Sequence, residues 1–130
     1  MPDQYTRTRA QLGTPALDVL RRAHVAVFGI GGVGSWCAEA LARSGVGALT
    51  LVDHDTVGLT NLNRQVEATR STLGQPKAQA MADRIRDINP DCRELAKQLS
   101  PESKILENEQ EMFDDESVQR SEEHTSELQS

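Results

Sequence analysis

Four glycines, Gly29, Gly31, Gly32 and Gly34, crowd into six positions at the end of the apolar run "HVAVFG". Three of them satisfy G-x-G-x-x-G, a spacing suited to anion binding. The chain turns tightly, its backbone comes close enough to touch a phosphate, and free N–H groups at a helix start face negative charge. Asp53 closes the next apolar run, "ALTLVD", 24 residues after Gly29, where a carboxylate can accept hydrogen bonds from ribose hydroxyls. Glycine turn and acid suit NAD and ATP alike. The residues that separate the two ligands lie further on: Asn61 and Arg64 in "NLNRQ", and Lys77 in "GQPKA". A dinucleotide's diphosphate is already met by the glycine turn. A triphosphate under attack builds charge on its departing pyrophosphate, which fixed cations and an amide donor stabilise. The plainer alternative makes Arg64 and Lys77 solvated surface charges and Asn61 a turn-former.

The elements needed to hold these groups are legible. "HVAVFG" reads as a buried parallel strand, "SWCAEALARS" as a helix ending at Gly45 in a left-handed cap, and "ALTLVD" as a second strand, together the size of one strand–helix–strand crossover. Upstream, Thr14 is placed to cap a short helix, "ALDVLRRA", with Pro15 at its first position. The stretch from Asp53 to Gly74 is polar and loop-like, with room for a short helical turn. Pro76 then opens "PKAQAMADRIRDIN", whose Ala78, Met81, Ala82, Ile85 and Ile88 repeat at helical spacing as a core-facing stripe and which ends before Pro90. The fold class expected is α/β, parallel strands flanked by helices in the manner of a Rossmann-like nucleotide-binding unit.

Net charge is −6 over 130 residues, but residues 1–90 carry ten Lys/Arg against eight Asp/Glu, and residues 91–130 carry four against twelve. The acidity belongs to the tail, so overall charge does not argue against a nucleic-acid partner for the folded part. No stretch reaches the roughly 18 apolar residues of a membrane span, and the N-terminus lacks the apolar segment of a signal peptide, which predicts a cytoplasmic protein without a membrane partner. Cys37 and Cys92 are too far apart for a CxxC pair. Cys37 reads as a small buried helix residue and Cys92, in "NPDC", as an ordinary loop residue.

"GIGGVGSWCAEALARSGVGALTLVDHDTVGLTNLNRQ" together with "GQPKAQAMADRIRDINPDC" resembles the ThiF/MoeB-type, ubiquitin-activating-enzyme-like adenylating family over about residues 5–93. "GSW", "EALARSG", "NLNRQ" and "INPDC" are similar to its tRNA-modifying dehydratase branch, which acts on threonylcarbamoyladenosine. The resemblance implies ATP as the nucleotide, with Gly29, Gly31, Gly32 and Gly34 around its phosphates and Asp53 on its ribose. Asn61, Arg64 and Lys77 fall where the family contacts the triphosphate. Arg7, in "QYTR", matches an arginine that reaches into a neighbouring subunit's site, which implies a homodimer. Arg7, Arg64 and Lys77 are thus the expected catalytic residues, tRNA the expected substrate, and the reaction an attack of a substrate carboxylate on the α-phosphorus. Two other readings stand beside it. One is activation of the terminal glycine of a sulfur-carrier or ubiquitin-like protein; the other is an NAD-dependent oxidoreductase. A truncated domain with no activity of its own is a fourth possibility.

The resemblance also shows departures. After Arg93 the family runs into a strand, whereas this chain gives the polar "ELAKQLSPES" followed by an acidic segment. The family's acidic magnesium ligand is expected beyond the end of this chain, and no residue within it is assigned to a metal. "RSEEHTSELQS", residues 120–130, resembles the in-frame translation of a sequencing adapter. The expected organisation is therefore residues 1–93 as the N-terminal half of an adenylating domain, 94–119 as a divergent acidic segment, and 120–130 as an artefact. Such a fragment is expected to be inactive alone.

Overall fold

The computed structural model describes residues 2–98 and 118–120. Its centre is a parallel sheet in the order β3-β2-β1-β4, formed by β1 (His24–Phe28), β2 (Ala48–Asp53), β3 (Arg93–Gln98) and β4 (Val118–Arg120). The chain crosses from β1 to β2 through α3 (Gly32–Ser44) and from β2 to β3 through α4 (Lys77–Ile88). Two short helices, α1 (Thr6–Leu12) and α2 (Thr14–Arg22), precede the sheet.

Alternation along the two inner strands divides the core. Val27, Leu49 and Leu51 join Ala38 and Ala42 of α3 and Ala78, Met81, Ala82 and Ile85 of α4 in one apolar cluster. Ala26 and Val52 face the other way, with Phe28 partly buried against them. Every residue of β2 is buried, as a continuous apolar run inside a parallel sheet requires. The α4 stripe packs as its periodicity predicts, with Ile88 half-buried at its margin.

The helix ends show where local signals hold and where they slip. α3 ends at Gly45 in the left-handed conformation, φ 100°, as expected. Thr14 does not cap α2: the helix begins at Thr14 itself, Gly13 occupies the cap position with φ 89°, and no side chain caps it. Gly13 also closes α1, a helix the sequence did not announce, so the two helices abut with no room for a capping loop. α3 starts at Gly32, inside the glycine cluster.

Beyond Arg93 the expectation of an irregular polar segment is corrected. Residues 93–98 form β3, paired in register with the whole of β2 from Ala48↔Arg93 to Asp53↔Gln98. The polar composition concealed it because this is a sheet-edge strand. Its half-buried positions are Glu94, Ala96 and Lys97, and Leu95 is left half exposed. Cys92 does lie in the bend before β3, as read from the sequence, but it is not an exposed residue. It is 4% exposed and belongs to the main core, where burial pushes its thiol up to about 11. Cys37 is only half-buried. The adapter-like segment, apart from Arg120, lies outside the described residues, as do residues 99–117.

Asn89 and Glu39 lock the crossovers together. The Asn89 side-chain amide donates to the Ala42 and Val46 carbonyls at 3.1 and 3.2 Å, satisfying the last turn of α3 from the end of α4. The Glu39 carboxylate, nearly buried on α3, accepts from Arg84 of α4 at 2.6 and 3.0 Å and from Arg43 at 3.1 Å. With α3 and α4 fixed to each other, their N-terminal ends present a rigid rim at the carboxyl edge of the sheet.

Candidate functional site

The register of β1 on β2 brings the glycine turn to the acid. Phe28 pairs with Val52, and one residue further on the Gly29 N–H donates to the Val52 carbonyl at 2.8 Å. Gly29 has φ 91°, a conformation a side chain would strain. Asp53, 8% exposed, uses both carboxylate oxygens: Oδ2 accepts from the Ile30 N–H at 2.6 Å and Oδ1 from the Asp55 N–H at 2.7 Å. It thus pins the turn to the strand end. Each oxygen retains a second lone pair for a ligand hydroxyl.

Gly31, Asp53, His54, Asp55, Asn61, Arg64, Gln65 and Lys77 line one cavity of about 190 Å³ at the carboxyl ends of β1 and β2. Open α/β sheets bind ligands outside this edge. Larger hollows elsewhere, of about 450 Å³ beneath Tyr5 and about 460 Å³ beside Glu67, contain none of the candidate ligand-binding residues. The volume is below the roughly 300–1,000 Å³ of complete small-molecule pockets, so it suits part of a nucleotide.

Three polar groups close this cavity from outside the glycine turn. Asn61 sits in a short 3₁₀ turn, Leu59–Asn61, and its Oδ1 accepts from the Gly58 N–H at 2.8 Å. The turn-former reading of Asn61 is therefore correct as geometry, yet the same bond fixes the side chain and leaves its amide as a donor at the rim. Arg64 lies exposed over Gly32, whose absent Cβ would stand 3.8 Å from Arg64 Cδ. Its Nη1 donates to the Thr60 carbonyl at 3.1 Å and to Asn63 Oδ1 at 2.9 Å. Lys77 is the first residue of α4; its side chain is 9% exposed and its ammonium stands 3.7 Å from Asp55 Oδ2. The counter-charge of this buried ammonium is thus long, and Asp55 itself is more than half exposed.

Arg7 is exposed on α1 and is not among the residues lining the cavity. His54 and Asp55 line it, Asp55 as the partner of Lys77. Among the described residues no group of three or more His, Cys, Asp and Glu is arranged to hold a metal ion, and no helix is long and apolar enough to cross a membrane.

Four residues at this site were not singled out by sequence reasoning. The Trp36 indole N–H donates to the Arg64 carbonyl at 2.7 Å, and Ser35 Oγ, fully buried, accepts from the Val66 N–H at 3.3 Å. The first turns of α3 thus hold the loop that bears Arg64. "GSW" was visible, but nothing local tells that its side chains reach residues some 30 positions away. Gln65 and Glu67 are buried on the same loop, with Gln65 Oε1 and both Glu67 oxygens lacking a hydrogen-bond partner. Burial raises the Glu67 carboxyl to about 7.

The site fits a nucleotide by its donor set. Backbone N–H groups at the start of α3, a guanidinium, an ammonium and an amide surround an opening that Gly32 leaves free, since a Cβ there would meet only ordinary contact distances. A parallel α/β sheet with this glycine turn, and an acid at the end of the second strand, is a Rossmann-like unit. The chain belongs to the ThiF family, whose pattern matches residues 5–116. It is 53% identical over 96 residues to the tRNA threonylcarbamoyladenosine dehydratase of Bacillus subtilis (strain 168), covering 74% of this chain and 38% of the relative. It is 59% identical over 90 residues to the Escherichia coli (strain K12) protein of the same name, covering 69% and 34%. The structure of E. coli tRNA N6-threonylcarbamoyladenosine dehydratase, TcdA, in complex with ATP superposes with a TM-score of 0.78 at 42% identity, over 92% of this chain and 49% of that one. The chain spans just over a third of the length of the curated relatives it matches.

Proposed function

We propose that this chain supplies the nucleotide cradle of an ATP-dependent enzyme that adenylates the carboxylate of threonylcarbamoyladenosine in tRNA, the first step of a dehydrating cyclisation. The carboxylate oxygen forms a bond to the α-phosphorus, the bond from that phosphorus to the bridging oxygen breaks, and pyrophosphate leaves with the electron pair. The acyl-adenylate then loses AMP when an internal nucleophile closes the ring. Carboxylate activation at the expense of ATP is ligase-type chemistry. In this reading Gly29, Gly31, Gly32 and Gly34 surround the phosphates and Asp53 meets the ribose. Asn61, Arg64 and Lys77 stabilise the departing pyrophosphate by charge already in place. The observation that carries it is the convergence of Asn61, Arg64 and Lys77 with Gly31 and Asp53 on one cavity.

The exposed position of Arg7, outside its own chain's cavity, suits a homodimer in which it completes the partner's site. A magnesium ion would be held by an acidic residue outside the described segments. A cytoplasmic location goes with this reading. We keep the division into an adenylating half at 1–93, a divergent segment at 94–119 and an adapter-like end at 120–130, although pairing of Arg93–Gln98 with β2 supports moving the first boundary to about 98. Activation of a ubiquitin-like protein's terminal glycine is the family-level alternative. A dehydrogenase would leave Arg64 and Lys77 without a task.

The test uses the chain extended to the length of its dehydratase relatives. Lys77→Ala and Arg64→Ala should each lower ATP–pyrophosphate exchange at least about 100-fold, the scale of losing one charge-stabilising donor, while circular dichroism stays unchanged. Exchange undiminished in both variants would refute the assigned roles.

A further inference from the structure

Gln65 follows Arg64 on the same loop and is 6% exposed, yet its side-chain Oε1 has no hydrogen-bond partner among the described residues. The backbone around it is fully engaged. The Gln65 N–H donates to the Asn61 carbonyl at 3.0 Å, its carbonyl accepts from the Ala68 N–H at 3.0 Å, and the adjoining Val66 N–H donates to Ser35 Oγ at 3.3 Å. A carboxamide held this way is in position before any ligand arrives, and leaving its oxygen unpaired costs the free protein stability.

Gln65 lines the cavity of about 190 Å³ itself, together with Asp53, Asn61, Arg64 and Lys77. Arg64, Lys77 and the Asn61 amide are donors, suited to phosphate oxygens. Asp53, with its spare lone pairs, and Gln65, with its unpaired oxygen, are acceptors, whereas Asp55 is engaged with Lys77. An ionised triphosphate has no proton to offer an acceptor, so the donors of a nucleotide sit on its ribose and base. Asp53 has already been placed at the ribose, and the two acceptors share a cavity too small for a whole nucleotide, which points both to one sugar. A carboxamide is also uncharged. It can accept a hydrogen bond here without repelling the phosphates as a further carboxylate beside Asp53 and Asp55 would.

We propose that Gln65 is a specificity-determining residue of this cavity: its buried carboxamide oxygen accepts a hydrogen bond from a ribose hydroxyl, beside Asp53, and so selects ribonucleotides over deoxyribonucleotides. A ligand without that hydroxyl leaves the oxygen unpaired and buried, and a site built to bond a hydroxyl rejects such an analogue for this reason. This rests on the cavity being a nucleotide site, and the experiment separates the two claims.

Titrate the chain, extended to the length of its dehydratase relatives, with ATP, 2′-deoxy-ATP and 3′-deoxy-ATP by calorimetry. Wild type should bind ATP about 10-fold tighter than one of the two deoxy nucleotides. Gln65→Met keeps the length of the side chain and removes the acceptor. It should weaken ATP about 10-fold, leave that deoxy nucleotide unweakened, and not lower the urea midpoint, since the Oε1 atom has no bond within the described chain to lose. Gln65→Glu keeps an acceptor, so it should preserve the ratio of affinities while weakening all three nucleotides alike. Equal ratios in wild type and Gln65→Met would overturn the proposal while leaving nucleotide binding intact, as would a wild type that binds all three equally. No binding of ATP by the wild type would overturn both claims. Should Gln65→Met fail to fold, Gln65→Glu decides: a preserved ratio supports the proposal and a lost one refutes it.

Discussion

At the scale of single residues, Trp36 and Arg64 show how a surface cation becomes a defined one. The guanidinium is exposed and long, and alone it would lose much of its binding contribution to rotamer entropy. Its backbone carbonyl is tied to the Trp36 indole at 2.7 Å and its Nη1 to Thr60 and Asn63. Trp36→Phe keeps the ring and removes the donor. Because Trp36 is 54% exposed, the lost hydrogen bond should cost at most about 1 kcal/mol in urea denaturation, yet ATP affinity should drop several-fold. An unchanged dissociation constant would show that Arg64 is fixed without the indole.

The contrast between Asp53 and Trp36 also shows what the sequence could reveal. Glycine spacing, strand length and an acid at the strand end are local, so Gly29 to Gly34 and Asp53 could be found from the chain alone. The partners of Trp36 and Ser35 lie 28 and 31 positions away, and Glu67 matters only because folding buries it. The two readings of Asn61, turn-former and ligand donor, could not be separated in sequence because its oxygen serves one and its nitrogen is left for the other.

At the scale of elements, the strand and helix ends are held by backbone contact rather than by long side chains. The Gly47 N–H donates to the Leu20 carbonyl at 3.0 Å and its carbonyl accepts from the Arg93 N–H at 3.0 Å, joining α2, β2 and β3 at one point. A Cβ on Gly47 would come within 1.8 Å of the Arg21 carbonyl oxygen. Gly47→Ala should therefore cost about 3 kcal/mol or more, since backbone must move. Gly74→Ala, at φ 84° with open space around it, should cost only about 1–2 kcal/mol of left-handed strain. Equal urea midpoints for the two variants would contradict this placement of Gly47. β3 escaped sequence reasoning for an element-scale reason, in that an edge strand with one apolar neighbour needs no apolar run of its own.

At the scale of the whole molecule, two carboxylates set opposing pH limits. Arg84 and Arg43 hold the Glu39 carboxyl below the usual range, so its contribution is present above the ordinary carboxylate value and is lost as pH falls through the lowered one. Burial raises Glu67 from 4.5 to about 7, so the folded chain binds the extra proton and stability declines as pH rises from about 4.5 through 7. Urea midpoints should peak near pH 5 and be lower at pH 8, and Glu67→Gln should flatten the alkaline side only. A variant profile parallel to that of the wild type up to pH 8 would rule Glu67 out as the cause.

The contact between Trp36 and the Arg64 loop has an optical consequence. The chain contains a single tryptophan, and its indole is hydrogen-bonded to the backbone of the residue whose guanidinium borders the cavity. Intrinsic fluorescence therefore reports on anion binding beside Arg64, so rapid-mixing records of emission can time it without a dye or a label.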